Sequence, residues 1–358
     1  MFSVRPLGRA LLVGLTVTVV AAACGDTGTG TSTVGSGALT GAGATFPAPF
    51  YSKAFFTYSQ QYPAVTVNYQ SVGSGAGIQQ FIKGTVDFGA SDVPMGSADI
   101  TAAGGPDTLT QIPATLGVIS IAYNLSGVTK LQLDGPTLAN IYLGHIKKWN
   151  DPALIALNAG INLPSAEIQV VHRSDSSGTS YHFTDYLAKV SDEWKSKVGV
   201  AKAVSWPAGI GGSGNQGVAQ AVTSTEGAIG YVELAYVVQT NMTQAYLRNK
   251  NGKFVQASVP GATSAAAQNT SVSPTNFSIT DEPGDDTYPI AGFSWLIVKT
   301  SYSDANKGKA VAYLFKWLVT DGQSIGTSLQ YAPLPTTVQG LALSNVKLIK
   351  AGGQAVLS

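Results

Sequence analysis

Val65-Thr66-Val67-Asn68-Tyr69 alternates apolar and polar side chains, the period of a strand with one buried face. Glycines follow at 73, 75 and 77. Ile78, Phe81 and Ile82 then recur at helical spacing until Gly84, and Thr85–Gly89 returns to strand. This is a β-turn-α-β unit, and a crossover helix of that kind joins parallel strands. The chain is therefore expected to be α/β with a mostly parallel sheet. The grammar recurs at Ile168–Val171, a strand, followed by the polar loop Arg173–Ser177 and a helix face of Tyr181, Phe183, Tyr186, Leu187 and Val190. Upstream, Thr45-Phe46 precedes Pro47, and Phe50, Ala54, Phe55 and Tyr58 form an apolar stripe. Pro47 suits a first helical turn, where its missing N–H is not needed. No repeat of solenoid period is present.

Length and composition bound the rest. The chain has 358 residues, enough for about two domains. With 44% hydrophobic and 11% charged residues it can bury a sizeable core, which excludes charge-driven disorder. Its 21 Lys+Arg against 20 Asp+Glu give no basic excess to grip a phosphodiester backbone, so no nucleic-acid partner is expected.

The N-terminus reads as a leader. Arg5 and Arg9 supply its positive start, and Ala10–Ala23 is apolar but too short for a membrane span. Ala21-Ala22-Ala23 directly precedes Cys24, the only cysteine. This resembles the lipobox of bacterial lipoproteins, with Ala21 where leucine is usual. Residues 1–23 are expected to be a signal peptide and 24–36 a flexible, lipid-anchored tether rich in Gly, Thr and Ser. Cys24 would carry the lipid, which places the folded part on the outer face of the cell membrane. No later run is long and apolar enough to span a membrane.

Three expected helices begin just after Ala44-Thr45-Phe46, Gly73-Ser74-Gly75 and Ser177-Gly178-Thr179. Each junction offers a hydroxyl and free backbone N–H groups at the positive end of a helix dipole. Routine capping explains any one of them alone; three together point to an anion site. Arg173 presents a planar fork that matches tetrahedral oxyanions, and Asp175, two residues on, can hold it. Asp87 and Asp92 lie in Val86-Asp87-Phe88-Gly89-Ala90-Ser91-Asp92. A carboxylate suits an anion site when the ligand carries a proton to donate to it. A fully deprotonated anion such as sulfate would meet an unpaired negative charge.

These residues fall into longer motifs. Leu39-Thr40-Gly41-Ala42-Gly43-Ala44-Thr45-Phe46-Pro47-Ala48-Pro49 resembles the opening of bacterial phosphate-binding proteins, the extracytoplasmic receptors of the phosphate-specific ABC transporter. Tyr69–Gly75, Val86–Asp92, Ile141–Trp149, Arg173–Thr179, Gly211–Asn215 and Gly227–Glu233 follow in the family's order, and the likeness runs from about Leu39 to Leu334. The resemblance implies the two-lobed periplasmic-binding-protein fold with a hinge and a ligand cleft. The first lobe would be 37–115 plus 285–358 and the second 116–284. It implies that Thr45, the Phe46 amide and Ser74 donate to phosphate, and that Asp92 accepts from it. Arg173 would supply its fork with Asp175 as partner, and Ser177, Gly178 and Thr179 would complete the site. It also implies partnership with an ABC permease and ATPase, a monomer, no enzymatic activity, no cofactor and no metal. A surface sensor of phosphate or a related oxyanion, without transport, is the alternative. His172 stands where some family members carry a second Arg, which leaves the charge beside the cleft open. Asn251–Asp281 has poor likeness and is expected to be surface structure of variable form.

Other classes find little support. The histidines are His145, His172 and His182, and neither Gly-x-Ser-x-Gly nor His-Glu-x-x-His occurs. Ser177 with His182 is the best nucleophile–base pair, and the two would face differently on a helix start. Gly212-Ser213-Gly214-Asn215-Gln216-Gly217 fits the dinucleotide pattern formally, but Trp206–Gly211 before it does not read as a clean strand. Lys147-Lys148 reads as a solvated helix edge. Trp149, Trp194, Trp206, Trp295 and Trp317 read as packing residues.

Overall fold

The computed structural model describes residues 34–357. The leader and Cys24 lie outside the described residues. Nine strands form the main sheet: β1 (Gly37–Gly43), β2 (Val65–Ser71), β3 (Phe88–Ser91), β4 (Leu109–Asn124), β5 (Gln169–Arg173), β6 (Ile210–Gly212), β7 (Ala228–Glu233), β8 (Thr243–Gln244) and β9 (Ala291–Lys299). Their order is β2-β1-β3-β9-β4-β7-β5-β6, with β8 beside β4. The α/β expectation holds, but the sheet is mixed rather than mostly parallel. β2-β1-β3 and β7-β5-β6 are parallel sets, separated by antiparallel ladders through β9 and β4. The helix after β2 does cross to β3, yet β1 lies between the two strands.

β4 ties the halves together. Nine of its first ten residues pair with β9 and its remaining six with β7, and every residue but the last is buried. Burial on both faces explains why Leu109–Asn124 shows no alternation of apolar and polar residues. Pro113 cannot donate to a ladder, and the register slips there: Pro113 faces Trp295 while Thr115 faces Ser294. The extra residue is Ala114, whose freed carbonyl accepts from Gln323 Nε2 at 2.9 Å. Bulges of this kind re-aim neighbouring side chains, and here the neighbour is Ser294.

The helices that matter start at strand ends. They are α1 (Ala48–Gln61) after β1, α2 (Ser74–Ile82) after β2, α3 (Gly178–Val190) after β5, α4 (Gly214–Ser224) after β6 and α5 (Leu234–Gln239) after β7. The expected stripe Phe50, Ala54, Phe55 and Tyr58 is buried on α1. Pro47 is the N-cap of that helix rather than its first turn.

Three further expectations are corrected. A short strand, β6, does precede Gly212–Gly217; glycines at 209, 211 and 212 hid it by supplying no side-chain alternation. Lys147 and Lys148 are exposed but lie outside any helix. Asn251–Asp281 contains α6 (Val259–Gln268), whose Gly261, Ala262, Ala265 and Ala266 are buried. Small side chains there let the helix lie close against β4 and β9. Trp149, Trp194 and Trp295 are fully buried, as packing residues should be.

Candidate functional site

All the singled-out residues lie at or just beyond the carboxyl ends of the two parallel sets. That is where α/β sheets bind ligands, because helix N-termini and connecting loops converge there. From the β1–β3 side come Thr45, Phe46, Ser74 and Asp92; from the β5–β7 side come Arg173, Asp175, Ser177, Gly178 and Thr179. The structure brings the two groups together. Gly178 N–H donates to Ser74 Oγ at 3.1 Å, Gly75 N–H to the Ser176 carbonyl at 2.9 Å, and His182 Nε2–H to the Asp92 carbonyl at 2.9 Å. Gly178 must be glycine: a Cβ there would lie 2.4 Å from Asp92 Cβ and 2.8 Å from Ser74 Oγ. Gly73 has φ +94°, and a Cβ would strike Asp175.

Asn215, in the first turn of α4, is a site residue that the sequence reading missed as such. Its backbone N–H and its Nδ2 donate to Thr45 Oγ1 at 3.1 and 2.9 Å, and Nδ2 also donates to Thr179 Oγ1 at 3.1 Å. Glu233 N–H donates to its Oδ1 at 3.0 Å, which fixes which way the amide faces. The signal was in Gly212-Ser213-Gly214-Asn215: a fourth helix start of the same grammar, dismissed because β6 was not recognised.

The hydroxyls share one pattern. Thr45 Oγ1 accepts twice from Asn215. Thr179 Oγ1 accepts from Asn215 and from Arg173 Nη1 at 3.2 Å. Ser74 Oγ accepts from Gly178 N–H and from Asp92 N–H at 3.2 Å. A hydroxyl has two lone pairs and one hydrogen. With both lone pairs filled, each of the three can act only as a donor to anything else, and the Ser74 hydroxyl donates to Asp92 Oδ2 at 3.4 Å. Ser177 Oγ caps α3 by accepting from Ser180 N–H at 3.1 Å, so routine capping applies at that junction.

Backbone is aimed the same way. Tyr69, Tyr236 and Tyr331 hydroxyls donate to the successive carbonyls of Ala44, Thr45 and Phe46, at 2.7, 2.6 and 2.7 Å. Anchoring three carbonyls outward turns the amide edge of the loop inward. These tyrosines come from β2, α5 and the segment after residue 330, so no local signal could have grouped them.

Arg173 is almost fully buried. Its Nε and Nη2 donate to the two Asp175 oxygens at 2.7 and 2.5 Å, a bidentate pair that leaves Nη1, with one hydrogen on Thr179, and the second Nη2 hydrogen on the other edge of the fork. Burial raises the Asp175 pKa, but the Arg173 hydrogen bonds and charge and the Gly214 N–H outweigh it and hold it below the usual value. Asp92 behaves oppositely. Burial pushes it up to about 7, against the Ser294 hydrogen bond, the Arg173 charge and the Ser74 hydrogen bond, with Asp175 adding repulsion. Ser294 Oγ donates to Asp92 Oδ1 at 2.8 Å from β9, opposite the β4 bulge, a contact that only tertiary structure creates. Asp87 is not part of the site; it pairs with Lys307 at 2.8 Å and accepts from Thr40. His172 stacks on Trp206 with centroids 4.8 Å apart, and burial lowers its pKa, so it adds no positive charge at neutral pH. Ser177 and His182 do face apart, His182 being spent on Asp92. Among the described residues, no group of three or more His, Cys, Asp or Glu is placed to hold a metal ion.

The arrangement has known counterparts. The family model of the PBP superfamily domain matches residues 27–321. The phosphate-binding protein PstS of Pasteurella multocida is 46% identical over 304 residues, covering 84% of this chain and 87% of that protein. PstS of Xylella fastidiosa is 43% identical over 304 residues, covering 83% of this chain and 81% of that one. Among solved structures, the periplasmic phosphate-binding protein PfluDING, bound with phosphate, superposes with a TM-score of 0.70 at 23% identity, covering 86% of this chain and 93% of its own. At that identity the superposition speaks for the two-lobed fold. The sequence relatives speak for descent: this chain belongs to the PstS family of phosphate-binding proteins, which bind and do not catalyse.

Proposed function

We propose that this protein captures inorganic phosphate in the cleft between its lobes and delivers it to an ABC transporter permease and ATPase. The observation that carries the reading is a buried site built of donors around one carboxylate. Thr45, Ser74 and Thr179 hydroxyls, the Phe46 amide, the helix start at Ser177–Thr179 and the remaining N–H groups of Arg173 suit the acceptor oxygens of phosphate. Asp92 suits its remaining proton. Asn215 joins this set by orienting two of the hydroxyls. The lobes would comprise 37–115 with 285–358, and 116–284. The pairing of β4 with both halves of the sheet supports a connection there, about which the cleft opens and closes.

The test is calorimetric titration of the protein from Gly25 onward, unfolded and refolded to strip carried ligand, with phosphate and then sulfate. Tight binding of phosphate is expected at neutral pH, and none of sulfate on the alkaline side of the Asp92 titration; a folded protein that binds no phosphate overturns the reading. Delivery is tested by uptake. Deleting the gene should lower phosphate uptake, with rescue by the wild type but not by Arg173→Ala. Unchanged uptake would leave a surface binding or sensing role. No helix among the described residues is long and apolar enough to cross a membrane. Attachment through a lipid on Cys24, outside the cell membrane and as a monomer, completes the proposal. Mass spectrometry of the mature N-terminus checks the lipid.

Gly178→Ala makes a sharper check of closure. Its Cβ would press on Asp92 and Ser74, and relieving such overpacking costs about 1–3 kcal/mol. Phosphate affinity should fall about ten- to a hundredfold, while the ligand-free protein, free to stay open, melts near the wild-type temperature.

A further inference from the structure

Tyr331 makes two contacts that one hydrogen cannot serve. Its hydroxyl lies 2.7 Å from the Phe46 carbonyl and 3.0 Å from Glu233 Oε2. A phenol has a single hydrogen, and a backbone carbonyl only accepts. The shorter contact is therefore the Tyr331 donation to Phe46. The contact with Glu233 must then take its hydrogen from the carboxyl. Oε2 can still accept from Ala235 N–H, at 2.9 Å, through a lone pair.

The surroundings agree. Glu233 is fully buried at the end of β7, and its Oε1 has no partner among the described residues. A bare anionic oxygen there would cost far more than a neutral carbonyl. Tyr331, Tyr236 on α5 and Asp92 beyond β3 are the titratable groups that face it, and none is a cation. Arg173, the cation of the site, is paired with Asp175. Burial raises the Glu233 pKa well above its usual value, against the Tyr331 and Ala235 contacts, and the Asp92 charge adds to the rise.

We propose that Glu233 is held as a neutral carboxylic acid whose proton, donated to Tyr331, keeps the Phe46 carbonyl capped and the Thr45–Phe46 loop in its donor-inward form. The inference rests on the phosphate site proposed above. Glu233 is a positioning residue that acts on the site twice: through Tyr331 on Phe46, and through its backbone N–H on the Asn215 amide. When the carboxyl loses its proton, Tyr331 turns its hydrogen to the carboxylate and releases the Phe46 carbonyl. Phosphate affinity is thus full on the acid side of the Glu233 titration and falls as pH rises through it.

Infrared difference spectroscopy on the ligand-free protein reads the proton without phosphate. A protonated-carboxyl stretch should be present at neutral pH, remain after Asp92→Asn removes the contribution of that half-protonated carboxyl, vanish when Glu233→Gln is added to that variant, and move to higher frequency in Tyr331→Phe. Phosphate titration across alkaline pH reads the consequence. The wild type should lose about three- to tenfold in affinity, the worth of one hydrogen bond, while Glu233→Gln and Tyr331→Phe start weaker and stay flat. If Glu233→Gln does not fold, Tyr331→Phe carries both arms. A spectrum unchanged by Glu233→Gln, or by Tyr331→Phe where that variant stands alone, overturns the proposal, as does an equal alkaline loss in the variants. A band lost as expected in a protein that binds no phosphate would keep the proton and overturn its link to phosphate.

Discussion

Replacing Arg173 by alanine should abolish tight phosphate binding. The guanidinium is almost fully buried, with one edge fixed by Asp175 and Nη1 donating to Thr179. Truncating one member of a buried, charge-assisted set costs about 3–5 kcal/mol, or about two to four decades in Kd. Asp175 is partly exposed and can be rehydrated, so the fold should survive. Arg173→Lys should fall between the two, because an ammonium keeps the charge but cannot grip Asp175 with two parallel bonds while also reaching Thr179. Calorimetric titration of the three proteins decides it. An alanine variant within tenfold of the wild type would remove Arg173 from the site.

Changing Asp92 should alter the choice of anion. Its carboxyl titrates at about 7 in the ligand-free protein. Sulfate brings no proton at any pH near neutral. Above that value it meets a carboxylate; below it, it meets a carboxylic acid able to donate. Sulfate binding should therefore emerge as pH falls through about 7. Phosphate binding should change little, since one proton is shared whichever partner supplies it. Asp92→Asn carries a permanent donor, so it should bind sulfate on the alkaline side and lose the pH dependence. Phosphate should weaken by about two decades or more, because buried groups left unpaired discriminate strongly. Stability follows the same titration. The folded pKa lies above the ordinary value of 3.8, so the folded state binds more protons than the unfolded one between the two. The ligand-free wild type should therefore lose stability as pH rises from about 4 to about 7, and Asp92→Asn should flatten that slope in melting experiments. A wild type with no sulfate binding at acid pH and a flat stability profile would show Asp92 ionised throughout.

How far the primary structure carries this account depends on the range of each interaction. The helix starts at Thr45, Ser74 and Ser177 were legible because capping hydroxyls, glycine turns and apolar stripes act within a few residues of one another. Arg173 and Asp175 were legible as a pair because two residues suffice to bring fork and carboxylate together. β6 was not, since three residues that include two glycines carry no alternation. The mixed sheet was not, since local pattern shows that a strand exists and not which neighbour it chooses.

The sequence by itself determined the local grammar: strands that end in donor-rich turns, helices that begin there, and one arginine and one aspartate among them. Tertiary structure alone decided what those groups do. Asn215 reaches Thr45 from a different half of the sheet, and Ser294 reaches Asp92 through a bulge forced by Pro113 on another strand. Three tyrosines from three separate segments cap consecutive carbonyls. Burial then sets the protonation of Asp92 and Glu233, because desolvation depends on everything packed around a carboxyl and on nothing beside it in the chain.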